Sequence, residues 1–296
     1  MQTLTIKGSG GLVIVDTSYF VFNRYFATLK WYRISTKSSA NDVSELHNNS
    51  TFMTALRAHI DKDMTNFITH PYINTHTFSP KLPMKHKSRQ GVNNALFLCI
   101  DCKRTDIWRM KAYPAYKQSR KVSNDININV IGAFYDQLNE YVSSGKAQKI
   151  DMPRLEADDV IYLSMKKIRA LKQYNNPIMI ITNDSDFLQM LPLNAYIFNM
   201  TGLPLVERAI TQDSRVAIMV KVLTGDRSDN IEGLSCIVGD KQALTIAKMT
   251  EKNRLEWVTE KGCLDTYRLN KKLILLAQIP RYLAQAFYKA YTFETI

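Results

Sequence analysis

Ile180-Ile181-Thr182-Asn183-Asp184-Ser185-Asp186-Phe187 joins an apolar run beginning at Pro177 to two aspartates one residue apart. A short apolar run bounded by polar residues is the pattern of a strand buried on both faces in a parallel sheet. Two more runs have this form: Leu12 to Val15 leads into Asp16, and Ala95 to Ile100 leads into Asp101. Open α/β sheets bind ligands beyond the carboxyl ends of their strands, so Asp16, Asp101 and Asp184 are expected to converge on one crevice. Helical periodicity over Val130 to Tyr141 and Ala157 to Leu171 separates the runs, as in an α/β fold whose mostly parallel central sheet is flanked by helices.

Further helices are expected at Thr51 to Ile68 and, after Pro204, at Arg215 to Leu223, Lys241 to Lys248 and Leu273 to Ala290, with helical composition to the end. The chain has 296 residues, 45% of them apolar, enough for a substantial core and too many for a disordered chain. Its formal charge of +12 attracts polyanions, so nucleic acid is the leading partner and a merely basic soluble protein the bland alternative. No signal peptide or membrane span is visible, and a cytoplasmic site is expected, in a bacterial cell or at a site of viral replication. Four cysteines make no disulfide framework in a chain of this size. Cys99 and Cys102 have CxxC spacing, but without a second pair at zinc-finger distance Cys99 is read as core. The basic residues Lys81, Lys85, His86, Lys87 and Arg89 read as a solvated surface, with a phosphate-facing loop as the alternative.

Acids recur in two more blocks. Glu156-Ala157-Asp158-Asp159 opens a helical pattern, where Glu156 and Asp159 share a face. Alone this is weak, because the helix dipole favours acids in a first turn. Gly225-Asp226-Arg227-Ser228-Asp229-Asn230 offers two acids in a turn after a helix. The candidates are therefore Asp16, Asp101, Glu156, Asp158, Asp159, Asp184, Asp186, Asp226 and Asp229. Gathered in one crevice they would repel until several were protonated, unless divalent cations shared the site. All-oxygen ligands favour magnesium or manganese, and two such ions roughly 4 Å apart suit in-line phosphoryl displacement.

From Lys103 to Lys121 the chain carries seven Lys or Arg and one acid, interleaved with Trp108, Tyr113 and Tyr116. Aromatic faces among cations suit single-stranded or flapped nucleic acid. Lys117 and Arg120, three apart and downstream of Asp101, are placed to bring positive charge to a scissile phosphate.

In order along the chain, Leu12 to Asp16, Cys99-Ile100-Asp101, Arg109-x4-Pro114-x-Tyr116-Lys117-x2-Arg120, Glu156-Ala157-Asp158-Asp159, Thr182-x-Asp184-x-Asp186-Phe187 and Gly225-Asp226-x2-Asp229-Asn230-Ile231 resemble the flap endonuclease and 5′-exonuclease family, which includes the nuclease domain of bacterial DNA polymerase I and tailed-phage enzymes. The resemblance leaves Arg33 to Asn94 uncovered. It implies a PIN-like 5′-nuclease fold, a nuclease core over 1–205 with a basic helical arch near 102–135, and a helical duplex-binding region over 206–296. It implies a first metal site at Asp16, Asp101, Glu156, Asp158 and Asp159, and a second at Asp184, Asp186, Asp226 and Asp229. Lys117 and Arg120 would be the electrophilic pair and Tyr116 a base-stacking residue, with Lys103, Arg104, Arg109 and Lys111 also binding nucleic acid. Asn230 to Ala243 is similar to the family's helix-two-turn-helix, in which Gly233, Gly239 and Lys241 would hold duplex phosphates and a potassium ion. Thr17 stands where Gly is usual, Cys236 replaces a common Gly, and one extra residue precedes Gly239.

The implied activity is metal-dependent, structure-specific cleavage of 5′-flap, nicked or RNA-primed duplexes, by a monomer working beside replication proteins. A PIN-type ribonuclease and a catalytically inactive nucleic-acid binder are the alternatives.

Overall fold

The three apolar runs become neighbouring strands of one sheet. The computed structural model describes residues 1–6, 10–37, 43–69, 93–120, 123–171, 174, 176, 178–237 and 239–296. The chain runs β1 (Gln2–Ile6), β2 (Leu12–Asp16), α1 (Thr17–Ser35), α2 (Ser50–Thr69), β3 (Ala95–Ile100), α3 (Trp108–Ala112), α4 (Ile128–Ser143), β4 (Gln148–Asp151), α5 (Ala157–Arg169), β5 (Ile178–Ile181) and β6 (Ala195–Phe198). Helices α6 (Ser214–Thr224), α7 (Asp240–Ala247), α8 (Glu251–Glu260), α9 (Leu264–Ile274) and α10 (Arg281–Ala290) follow, then β7 (Tyr291–Thr295).

Strands β2 to β6 form a sheet in the order β4-β3-β2-β5-β6, with every pairing parallel. Alternate residues of a strand face opposite sides. Val13, Val15, Leu96, Leu98, Met179 and Ile181 therefore pack with Phe20 and Tyr25 of α1, Phe52 of α2 and Phe134 of α4. Leu12, Ile14, Phe97, Cys99, Ile178 and Ile180 pack the other way, against Val160 and Ile161 of α5 and a cluster continuing to Val222, Ile246, Tyr267 and Phe287. Covering both faces is what makes the central strands apolar throughout. The register sets Asp16 beside Cys99 and Val15 beside Ile181, so β2, β3 and β5 end at one level. From β2 the chain winds through β3 and β4 on one side, then β5 and β6 on the other, which puts the topological switch at β2.

Several expectations need correction. Leu273 to Ala290 is two helices, broken over 275–280, because Pro280 cannot donate to a continuing helix. The chain does not stay helical to the end: alternating Tyr291 and Phe293 are buried and β7 pairs in parallel with β1. Strand β4 shows no apolar run, since only Ile150 of its four residues is buried. The basic residues Lys81 to Arg89 lie outside the described residues. Segment 102–135 is not one helical arch: it holds a 3-10 turn at Arg104–Asp106, the five-residue α3, turns to Arg120, and the start of α4. Tyr113, preceding Pro114, is extended at φ −147°, and Lys117 is left-handed at φ 56°, so neither continues a helix. Cys99 is core as read, while Cys236 and Cys263 form a disulfide with Cα atoms 6.6 Å apart.

After α6 the chain doubles back tightly. Asp226 and Ile231 exchange two backbone hydrogen bonds of 2.8 Å, and Leu234 N–H donates to Leu223. Gly225 permits this at φ 77°, where a Cβ would lie 2.5 Å from Gly233 N. Gly233, expected to touch nucleic acid, faces Thr224, whose carbonyl oxygen would sit 2.5 Å from a Cβ there. Gly225→Ala should therefore destabilise by about 2–4 kcal/mol in chemical denaturation, combining a strained φ with a backbone collision. Gly145→Ala, at φ 70° with open space around it, should cost only about 1 kcal/mol.

Candidate active site

Asp16, Asp101, Glu156, Asp158, Asp184, Asp186 and Asp229 line one cavity of 950 Å³ above the carboxyl edge of the sheet, together with Lys117 and Arg120. Asp226 lies in an adjoining cavity of 450 Å³ that shares Asn183 and Asp184 with the first. All nine candidates are near the rim, but the structure divides them differently from the expected pair of metal sites.

The first group is Asp16, Asp101 and Asp184. Asp16 caps α1, accepting from Tyr19 N–H at 3.2 Å and from the Thr182 hydroxyl at 2.9 Å. Asp101 accepts from Ala157 N–H at the start of α5 (2.7 Å) and from the Ser18 hydroxyl (2.5 Å). Asp184 accepts from Asp186 N–H at 2.9 Å. No ion pair joins these three to a lysine or arginine among the described residues. Burial, then the charges of Asp101 and Asp184, push Asp16 up to about 7.

The second group is neutralised from within. Glu156 and Asp159 form a reciprocal cap on α5. Beneath them Arg109, 1% exposed, donates to Glu156 at 2.7 Å, to both Asp159 oxygens at 2.8 and 2.9 Å, and to the Leu273 carbonyl at 2.8 Å. Trp108 Nε1 donates to Asp159 at 2.8 Å. The Tyr116 hydroxyl lies 3.0 Å from both Glu156 and Asp229. Lys117 pairs with Glu156, and Arg120 with Asp229 at 2.5 Å. Burial works to raise Glu156, but Lys117 and Arg109 outweigh it and hold the carboxyl below its usual range. Asp158 is driven well up by burial, against the partial relief of Arg109 at 3.5 Å.

The third group is Asp186 and Asp226, which share the ammonium of Lys221 at 2.5 and 2.6 Å. Burial first, and Asp184 next, still push Asp186 up to about 7.

A family profile described as the 5′-3′ exonuclease, N-terminal resolvase-like domain matches residues 11–219. The chain belongs to that family. A 5′-3′ exonuclease of Halalkalibacterium halodurans is 32% identical over 183 residues, covering 59% of this chain and 57% of that protein. The thermostable DNA polymerase I of Thermus filiformis is 28% identical over 167 residues, 54% of this chain and 19% of the polymerase. This exonuclease-family chain thus spans about half or less of the curated relatives it matches. The flap endonuclease of bacteriophage T5, solved in a pseudo-enzyme-product complex with DNA and metal ions, superposes with a TM-score of 0.57 at 15% identity, over 95% of this chain and 97% of that one. A T5 5′-exonuclease structure with bound zinc gives 0.54 at 14%. The T5 structures share the fold.

Placed in the family fold, several expected roles change. Tyr116, 2% exposed, is interior and supports carboxylates instead of stacking on a base, and Arg109 is likewise buried. Asp159 is fully buried, with both oxygens taken by Arg109 and Trp108, so it orients the site from behind. Glu156, Asp158 and Asp159 do offer oxygens within 4.8 Å of one another, but Arg109 and Lys117 already hold that cluster. Asp229 stands with Lys117 and Arg120, its backbone carbonyl accepting Lys117 N–H at 2.8 Å. Arg104 binds the carbonyls of Lys117 and Arg120, fastening their turn. Lys103, Lys111, Gly239 and Lys241 are exposed and outside the cavity lining.

The sequence pattern did not expose Ser18 and Lys221, whose types carry no signal without knowledge of what they face, and it gave Thr182 a place in the strand-end motif but no role. It also missed Phe22 and Phe26, 40% and 41% exposed on the cavity wall, although their i, i+4 spacing after Asp16 was visible.

Arg109→Met should leave Asp159 buried with no cationic partner and Glu156 with Lys117 alone, lowering stability by about 3–5 kcal/mol in chemical denaturation. A carboxyl raised on folding binds a proton more tightly in the folded state, so its favourable contribution is present at low pH and fades as pH rises through the folded value. In chelator, Asp16→Asn should thus be neutral near pH ~4 and stabilising above pH ~8. With Asp16 at about 7 against an ordinary 3.8, the gain is bounded at about 4 kcal/mol. Melting curves of both proteins across that range check the crossover.

Proposed function

We propose that this chain is a magnesium-dependent 5′ nuclease that hydrolyses phosphodiester bonds in DNA or RNA-primed duplexes bearing a 5′ single strand. The observation that carries the reading is the convergence of Asp16, Asp101 and Asp184, without a paired protein cation, in the same cavity as Lys117 and Arg120. Carboxylate oxygens free of ammonium or guanidinium partners are a fitting donor set for a hard divalent cation, magnesium or manganese. Asp16, Asp101, Asp184 and the half-open Asp158 would hold it, and when bound it supplies an acidified water and a counter-charge to the scissile phosphate.

The protein's own groups do the rest. Arg109 and Trp108 fix α5 so that Asp158 and Glu156 meet the cavity at constant geometry. Lys117, held in a left-handed conformation by its hydrogen bond to Asp229, presents its ammonium where phosphate charge develops. Phe22, Phe26 and the exposed Ile128 line the same cavity as the acids and give it apolar surface suited to stacking a base that has left the duplex. Residues 206–296, with α6, its doubled-back loop and α7 as the helix-two-turn-helix, are assigned to duplex binding. Backbone carbonyls of that helix-two-turn-helix would hold a potassium ion. Among the described residues no helix is long and apolar enough to cross a membrane, and we assign the protein to the cytoplasm, as a monomer acting beside replication proteins.

End-labelled 5′-flap, blunt-duplex, RNA-primed and single-stranded RNA substrates, with magnesium or EDTA, test this directly. Cleavage should require magnesium and prefer the 5′-ended duplexes; Asp184→Asn should lower kcat at least ~10³-fold and Lys117→Ala about 10²-fold. Phe22→Ala with Phe26→Ala should raise KM for flaps roughly tenfold, with little change in kcat. Cleavage that survives EDTA, or a preference for unstructured RNA, would overturn the assignment.

A further inference from the structure

Lys221 has a position that the nuclease reading leaves unused. It lies in the last turn of α6, where its carbonyl accepts the Gly225 N–H at 2.8 Å, and its side chain is 18% exposed. The ammonium touches Asp186 at 2.5 Å and Asp226 at 2.6 Å. The other oxygen of Asp226 accepts from Ser228 N–H (2.8 Å) and the Ser228 hydroxyl (2.7 Å), so that carboxylate is fully engaged without any added ion. On this side of the rim Asp186 and Asp226 hold a cation that belongs to the chain. On the other side Asp16, Asp101 and Asp184 pair with none among the described residues. The two halves of the site therefore differ in what a divalent ion would meet: open carboxylates in one, an ion pair that must first be broken in the other.

We infer that Lys221 is a positioning residue whose ammonium holds the seat of a second cation, so that one divalent ion binds tightly beside Asp16, Asp101 and Asp184 and a second enters only by displacing the lysine. This rests on the nuclease reading. Lysine suits the role because its flexible stem and rotatable donors can withdraw toward the smaller cavity, whereas a guanidinium would be held by its fork. A substrate phosphate beside that cavity offers the withdrawn ammonium a new partner, coupling entry of the second ion to arrival of substrate.

The test is manganese binding to the substrate-free protein, followed by calorimetry and by electron paramagnetic resonance of free manganese. Wild type should bind one ion tightly and a second at least ~100-fold more weakly, a gap of about 2.7 kcal/mol. Lys221→Met should tighten the second ion at least ~10-fold, and Lys221→Arg should keep it weak. In melting experiments Lys221→Met should be less stable than wild type in EDTA, with Asp186 and Asp226 unpaired, yet gain more from manganese. Two ions of equal affinity in wild type, or an unchanged weak second ion in Lys221→Met, would overturn the role of Lys221 while leaving a metal-dependent nuclease intact. No manganese bound by wild type would overturn both readings.

Discussion

Arg109 lies beneath the carboxyl edge of the sheet and joins Glu156 at 2.7 Å to Asp159 at 2.8 Å, inside a region that water does not reach. Burying two carboxylates without such a partner costs several kcal/mol each, so the guanidinium is a condition for α5 to start where it does. The start of α5 in turn supplies the Ala157 N–H that fixes Asp101, and the cap that fixes Glu156. Arg109 also binds the Leu273 carbonyl at the end of α9, so the late helices and the acidic rim are held by one side chain.

Charge at the rim is then unequally compensated. Arg109, Lys117 and Arg120 match Glu156, Asp159 and Asp229, and Lys221 is shared by Asp186 and Asp226. Asp16, Asp101 and Asp184 face the same cavity with hydroxyl and N–H donors but no paired cation. Hydrogen bonds orient a carboxylate without cancelling its charge, which leaves these three attractive to an external cation while the rest keep the site folded. A basic protein with an acidic pit can then draw a polyanion to its surface and hold a metal ion at the point of contact.

The legible part of the fold was what local pattern determines. Strands covered on both faces must be apolar along their length, so β2, β3 and β5 stood out, whereas edge strand β4 did not. Helix α1 escaped notice because its apolar residues face both the core and the open cavity: Phe20 and Tyr25 are buried while Phe22 and Phe26 are exposed. Strand β7 exists only because β1, from the other end of the chain, pairs with it.

For the site, the sequence by itself determined that acids follow the ends of three parallel strands, and parallel strands in register deliver whatever follows them to one edge. That is a consequence of backbone geometry, which apolar runs report directly. Only the tertiary structure decided which acids meet a cation from the chain and which meet open space. Arg109 and Tyr116 read as surface residues among other basic and aromatic ones, yet packing drew them inward, because Glu156, Asp159 and Asp229 needed donors and no water was available to them. Partners 47, 40 and 113 residues apart in the chain leave no local pattern, since the energy that selects them arises only once distant segments are desolvated together.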